Sequence, residues 1–361
     1  MLRLSRFVFF VFCLSGSTSL YALNIKSVSH YPEFIDFREI DHVEINYALD
    51  EAAHVVIKIY DDRDILINQL DSAGVQQAGK NTMRWMGDDF TGKRVPPEAY
   101  KYTITATSSG NTVEHDLSDL TGGKKVKVHK LQWDKTKNQV SYHVLKPARV
   151  NVRVGMLNNG PLMATLSDWL PREHGNHRIS WNGLDNSGVF DLRKIEDNVK
   201  LYAEAFTLSE NTILVGPKTD QVRLIEDISW KEEKRVRKKQ AAPSMKNHGQ
   251  QYIENRGDFT VNVVLPDDLA VHKSGIPIVS GIVPVRFVLP KRDNLRIIND
   301  RYEPILFVDG KYFVENEVGF FPMTWNLDTT TLTEGEHYLT INLRGYNGHM
   351  GAASARIFVK R

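Results

Sequence analysis

Trp85-Met86-Gly87-Asp88-Asp89-Phe90-Thr91-Gly92 returns, 96 residues further on, as Trp181-Asn182-Gly183-Leu184-Asp185-Asn186-Ser187-Gly188. Tryptophan, glycine, aspartate and glycine keep their spacing, and each copy follows an alternating apolar stretch: Val55, Ile57, Ile59 before the first, Val150, Val152, Val154 before the second. Strict alternation puts successive side chains on opposite faces of a strand, so both stretches read as half-buried strands. A tryptophan at a strand end buries roughly 150 to 250 Å², glycine supplies the positive backbone angles of a tight turn, and aspartate in that turn accepts backbone N–H groups. Trp85, Gly87, Asp89, Gly92 and Trp181, Gly183, Asp185, Gly188 therefore read as one structural device used twice, each indole a core anchor.

Outward from this repeat the same period of two continues. Val43, Ile45, Tyr47 precede the first copy and Tyr100, Tyr102, Ile104 follow it; Val140, Tyr142, Val144 and Leu201, Ala203, Ala205 take the corresponding places around the second. Turn residues fall between these runs, as at Gly79-Lys80-Asn81, Pro96-Pro97 and Ser109-Gly110-Asn111, and no stretch holds a helical period. A third set of strand patterns begins at Phe259, with Asp309-Gly310 marking a two-residue hairpin turn between Phe307 and Tyr312. The expected fold is all-β, with three immunoglobulin-like β-sandwich domains in series: 23–123, 124–227 and 258–361. Residues 228–257, with a charge run from Lys231 to Lys239, have too few apolar side chains for a core and read as a charged linker.

Residues 1–22 have the form of a secretory signal: Arg3 and Arg6, an apolar core from Phe7 to Leu14, then small polar residues up to Ala22. That core is about half the ~20 residues a spanning helix needs, and no later stretch reaches that length. Cleavage after Ala22 would remove Cys13, the only cysteine, which excludes disulfides, a cysteine zinc site, an attached c-type haem and a cysteine nucleophile from the mature chain. The 46 basic and 44 acidic residues give a formal net charge of +2. Loss of Arg3 and Arg6 brings this to zero, against the basic excess that a nucleic-acid partner demands.

The repeated units resemble the immunoglobulin-like domain of the flagellar hook-capping protein FlgD and its relatives in secreted bacterial proteins. In the first unit the matching residues are Val56 to Asp61, Gly79-Lys80-Asn81, Trp85, Gly87, Asp89, Gly92, Val95-Pro96 and Ala99-Tyr100. The second keeps Val152 to Val154, Gly175-Asn176, Trp181-Asn182-Gly183, Asp185 and Gly188, without the proline and final tyrosine. The third unit looks like another bacterial immunoglobulin-like class, on Trp325 to Thr330, Leu332, Gly335, His337, Leu339, Gly345 and Gly348. The resemblance implies a fold and little chemistry, because one fold hosts many functions.

Candidate sites are few. Asp89 and Asp185, with Asp88 and Asn186, place oxygen donors beside glycines in a way that suits calcium, although an Asx turn explains the same residues. His174 and His177 are a two-ligand candidate interrupted by Gly175-Asn176. Tyr302, Tyr312 and Phe320 are the candidate interaction surface, with Phe313 and Phe321 beside them. There is no nucleophile elbow, phosphate-binding glycine loop or His-Glu-x-x-His helix, so neither a catalytic residue nor a cofactor is expected. The sequence reading is an exported, non-catalytic structural or interaction component of the bacterial cell envelope or an extracellular assembly. It would lie in the periplasm, on the outer surface or outside the cell, with other such proteins, or copies of itself, as partners. A carbohydrate-binding accessory module and an enzyme with a site between the second and third units are the alternatives.

Overall fold

The computed structural model describes residues 23–118, 120–216, 257–291, 293, 297, 302–317, 321–345 and 348–361. The signal segment, residues 217–227 and all of the charged linker except Gly257 lie outside the described residues.

The described chain is all-β, and its sheets lie face to face in immunoglobulin-like sandwiches around three apolar cores. In the first, Ile25–Tyr31, Val43–Leu49 and Gly79–Trp85 form one sheet. The facing sheet runs Phe34–Ile35, Thr212–Val215, Glu98–Ser108, Ala53–Tyr60 and Leu66–Gln76, with Asn111–His115 also on Glu98–Ser108. The alternating residues meet between them: Val43, Ile45 and Tyr47 from one side, Val55, Ile57, Ile59, Tyr100, Tyr102 and Ile104 from the other, all buried.

The second core lies between His129–Asp134, Gln139–Val144, Gly175–Ser180 and the sheet Leu162–Arg172, Ala148–Met156, Val199–Thr207, Lys125–Val126. The third lies between Asn262–Val264, Ile282–Val288, Met323–Asp328 and the sheet Ile278–Val279, Met350–Val359, Gly335–Gly345, Tyr302–Val308, Lys311–Glu315. In that last sheet Asp309 and Gly310 take φ of 52° and 75°, and Val308 pairs with Lys311 across the two-residue turn, the backbone that an Asp-Gly hairpin favours.

One strand departs from a simple series. With Tyr100, Tyr102 and Ile104 laid on Leu201, Ala203 and Ala205, the first repeat's last strand, Asn111–His115, falls on the stretch that begins at Thr212. Thr212–Val215 is nevertheless part of the first sandwich, pairing antiparallel with Glu98 to Lys101 and parallel with Phe34–Ile35. The range 124–227 thus hands a strand to its neighbour. The physical reason is room on Glu98–Ser108: Asn111–His115 covers only Ile104 to Ser108, which leaves the Glu98 end of that strand open for a second partner.

Polar contacts run through both joints between sandwiches, and those around Glu98 are buried. Arg149 of the second pairs with Glu98 of the first at 2.8 Å, and Asn211 donates to the Tyr102 carbonyl at 2.7 Å. On the other side Asn342 of the third sandwich bonds both the N–H and the C=O of Leu162, at 2.7 and 2.8 Å, as a neighbouring strand would. Ser354 N–H donates to Ser187 Oγ at 2.8 Å, Phe190 lies against Tyr338 at 4.6 Å between ring centroids, and Arg153 meets Asp258 at 2.7 Å.

His337 gives the third sandwich a pH dependence. Its Nδ1 lies 2.6 Å from Asp309 Oδ2 and its Nε2 2.8 Å from the Thr333 carbonyl, so both ring nitrogens have acceptors that favour a protonated ring. Burial opposes the charge, but the Asp309 hydrogen bond, helped by Thr333, outweighs it and the pKa is raised above 6.5. A raised imidazole pKa contributes stability that is complete below the ordinary value and is lost as pH rises through the folded one. Thermal unfolding of the third sandwich is therefore expected to shift to lower temperature as pH rises above about 6.5, and His337→Gln to flatten that dependence. Calorimetry between pH 5.5 and 8.5 checks both.

Candidate interaction surfaces

Both tryptophan motifs fold in the same way. Trp85, fully buried, donates Nε1–H to the Asp88 carbonyl at 3.0 Å, and Trp181, 7% exposed, donates to the Leu184 carbonyl at 2.8 Å, three residues on in each case. Gly87 and Gly183 turn the chain back with φ of 72° and 81°, and Gly92 and Gly188 do so again at 76° and 67°. A Cβ on Gly87 would sit 2.2 Å from the Phe37 ring. Gly87→Ala thus meets both a strained φ and a clash with a packed ring, and is expected to destabilise the first sandwich by roughly 1 to 3 kcal/mol. Gly92→Ala, with no atom near its Cβ, should cost only the φ strain; urea melts of the two variants compare them.

The turn aspartates are committed to their own loops. Asp89 Oδ1 accepts from Thr91 N–H at 2.8 Å, Thr91 Oγ at 2.6 Å and Lys93 N–H at 3.0 Å. Asp185 Oδ1 accepts from Val189 and Phe190 N–H at 2.7 and 2.9 Å. Hydrogen bonding from Thr91 and Lys93 holds the Asp89 carboxyl below the usual range despite the opposing effect of its burial. Among the described residues no three His, Cys, Asp or Glu side chains gather into a metal cluster. His174 is exposed, while His177 stacks on Tyr142 at 5.4 Å and reaches the Glu173 carbonyl at 2.8 Å, so the two imidazoles do not converge.

The aromatic surface needs correction at one member. Tyr302 is in phase with the core residues Leu306 and Val308, so its ring is turned inward, 8% exposed and 5.5 Å from Phe321. Phe320 lies outside the described residues. Tyr312 is 59% exposed and stands with half-exposed Phe313 on Lys311–Glu315, the outermost strand of its sheet among the described residues. An outermost strand offers unpaired backbone donors and acceptors, and these two rings give that edge an apolar grip. A second surface is a shallow polar groove on the outer face of the second sandwich, where Lys130, Lys137 and Arg178 stand with Asp134, Ser141 and Asn176.

Sequence reasoning missed the joint residues. Asp168 and Asp258 converge between the second and third sandwiches, where an enzyme site was the alternative. Three of their four carboxylate oxygens already accept hydrogen bonds: Asp258 from Arg153, Met350 N–H and Thr165 Oγ, Asp168 from the N–H groups of Gly257 and Asp258. Burial pushes the Asp258 carboxyl up, against the pull of Arg153, and Asp168 pushes the same way. No spacing signal reveals such a cluster, because its members are scattered over more than 100 positions and are ordinary surface types one by one.

Comparison with known proteins places the first sandwich. Residues 36–110 match the FlgD Ig-like domain family. That range begins at Asp36 and includes the Trp85 motif; the match does not extend to the second motif. No curated protein matches the chain. Among solved structures, FlgD from P. aeruginosa is 28% identical over 20% of this chain and 57% of its own length, with a TM-score of 0.20; the chain thus spans little more than half of it. The fibronectin(III)-like modules of Clostridium thermocellum CbhA are 10% identical over 94% of each chain, TM-score 0.20. A tetra-tandem repeat from the extending region of a large adhesion protein is 13% identical over 93% of this chain and 74% of its own, TM-score 0.20. No helix among the described residues is long and apolar enough to cross a membrane.

Proposed function

We propose that this protein is an exported, non-catalytic array of three immunoglobulin-like sandwiches, the first two FlgD-like, serving as a structural or protein-interaction component of the bacterial envelope or an extracellular assembly. The observation that carries this reading is the way the sandwiches are joined. A strand shared between the first two, with a buried ion pair at that joint and a partly buried one at the next, suits a spacer that holds its surfaces at fixed separation, whereas a hinged enzyme needs a cleft that opens. The like surroundings of Trp85 and Trp181 support two copies of one module. The edge with Tyr312 and Phe313 is where strand addition to a neighbour would take place. Purified chain beginning at Leu23 tests it: small-angle scattering should give one rigid extended particle, and pull-down should recover an envelope or surface protein through the Tyr312 edge. A flexible particle together with no recovered partner overturns the reading. Export is tested separately, by cell fractionation and the mass of the mature N-terminus.

A second reading, a carbohydrate-binding accessory module, is favoured by the polar groove with Lys130, Lys137 and Arg178, whose charge would suit acidic sugars. Glycan-array binding abolished by Arg178→Ala would establish it, and an array without binding would remove it.

A further inference from the structure

At the joint between the second and third sandwiches two carboxylates gather around one guanidinium. Arg153 Nη2 donates to Asp258 Oδ1 at 2.7 Å, the two side chains being 16% and 13% exposed. Asp168, on the strand beside Arg153, accepts the N–H groups of Gly257 and Asp258 on its Oδ2, at 2.7 and 3.0 Å. Its Oδ1 is enclosed without a hydrogen-bond partner. Behind Arg153, on Val199–Thr207, stand Tyr202 and Glu204, both of which feel its charge, and Lys125 is taken up by Glu204. From the third sandwich come His349, buried against Phe259 at 5.4 Å between ring centroids, and Asp293, which accepts from Thr260 N–H at 2.8 Å. Two carboxylates crowded into a largely desolvated site lower their mutual repulsion by holding a proton.

Asp258 has a place for that proton. Its Oδ1 meets two donors fixed in direction, Arg153 and the Met350 N–H at 2.9 Å, whereas its Oδ2 meets the Thr165 hydroxyl at 2.7 Å. A hydroxyl rotates and accepts as readily as it donates. With a proton on Oδ2, the carboxyl donates to Thr165 Oγ and keeps both bonds on Oδ1, so the neutral acid fits without movement of any heavy atom. Burial favours that neutral form, Arg153 opposes it and Asp168 adds to it, which brings the Asp258 carboxyl up from 3.8 to about 6.

We infer that this joint is a proton-operated latch, tight with a proton on Asp258 and slack with Asp258 and Asp168 both ionised. The sign follows from linkage. A carboxyl that binds its proton more firmly when docked lends the joint its full strength below the ordinary value of 3.8, and that contribution is lost as pH rises through about 6. The contacts of Asn342 with Leu162, Ser354 with Ser187 and Tyr338 with Phe190 are uncharged and serve at either pH; the proton sets how often they part. The latch needs no partner and is independent of the spacer role.

Amide hydrogen exchange on the intact chain tests it, in a His337→Gln background that removes the His337 titration. Leu162 N–H is bonded to Asn342 and Ser354 N–H to Ser187, so both amides report opening of the joint. Their protection, corrected for the intrinsic pH dependence of exchange, is expected to rise about 10-fold from pH 7.5 to pH 5, while Val152 within the second sandwich stays unchanged. The Asp258 carboxyl carbon should titrate near pH 6 by NMR. Asp258→Asn copies the neutral acid, its amide nitrogen donating to Thr165 and its oxygen accepting from Arg153 and Met350, and should hold the high protection at both pH values. A joint held by a simple ion pair behaves in the opposite way, with protection that rises with pH and is lost in Asp258→Asn. Either of those results, protection that does not change with pH, or an Asp258 midpoint at or below its ordinary value would overturn the latch. Should Asp258→Asn fail to fold, the titration and the exchange of the His337→Gln chain decide alone.

Discussion

Trp85→Ala is expected to cost the first sandwich roughly 3 to 5 kcal/mol, the range for removing a large aromatic from a core. The ring is fully buried, edge-on to Phe37 at 5.8 Å and to Tyr100 at 5.4 Å between centroids, so truncation leaves a cavity with aromatic walls on two sides. The lost hydrogen bond adds little, because Asn68 Nδ2 also donates to the Asp88 carbonyl, at 2.7 Å, and continues to satisfy it. Trp85→Phe should therefore recover more than half of the loss. Trp181→Ala should fall at the lower end of the same range, since Trp181 is slightly exposed and Trp133, 4.5 Å away, can shift into the space. Denaturant melts of the three variants give the order Trp85→Ala, Trp181→Ala, Trp85→Phe from most to least destabilised. An unchanged melt for Trp85→Ala would show that the motif does not anchor the core.

The repeat and its alternation made the sandwiches legible in sequence, because burial on one face of a strand leaves a period of two that survives in a single chain. Val43, Ile45 and Tyr47, or Leu339, Ile341 and Leu343, are visible in this way. The Asp309-Gly310 turn was legible for a different reason: few dipeptides accept two successive positive φ angles. What alternation does not encode is partnership. Thr212–Val215 has the apolar character of any buried strand, and nothing in those four residues says that they belong with Glu98 to Lys101 instead of with their own repeat. Tyr302 shows the same limit, since an aromatic cluster in sequence does not reveal which phase of the strand faces inward. Charged residues were the least legible. Glu98, Arg149, Arg153 and Asp258 carry no pattern, and their roles come from which sandwich faces which.

Glu98→Ala is expected to be as damaging as the loss of the indole, for an electrostatic reason. The side chains of Glu98 and Arg149 are 8% and 2% exposed and meet at 2.8 Å between the first two sandwiches. Removing one partner of a buried pair leaves the other charge desolvated without its counter-ion, at a cost of roughly 3 to 5 kcal/mol. Arg149 keeps a bond from Nη1 to the Trp169 carbonyl at 3.2 Å, but a neutral carbonyl offsets only part of a buried positive charge. The alternative is that the joint separates far enough to hydrate Arg149, which would also strip Thr212–Val215 from Glu98 to Lys101. The double variant Glu98→Leu with Arg149→Met separates charge from shape: with no ion to desolvate and similar volume filled, it should recover most of the loss. A double-mutant cycle in which Glu98→Ala and Arg149→Met are each mild and simply additive would show that the pair is not coupled and that the joint is held by its shared strand alone.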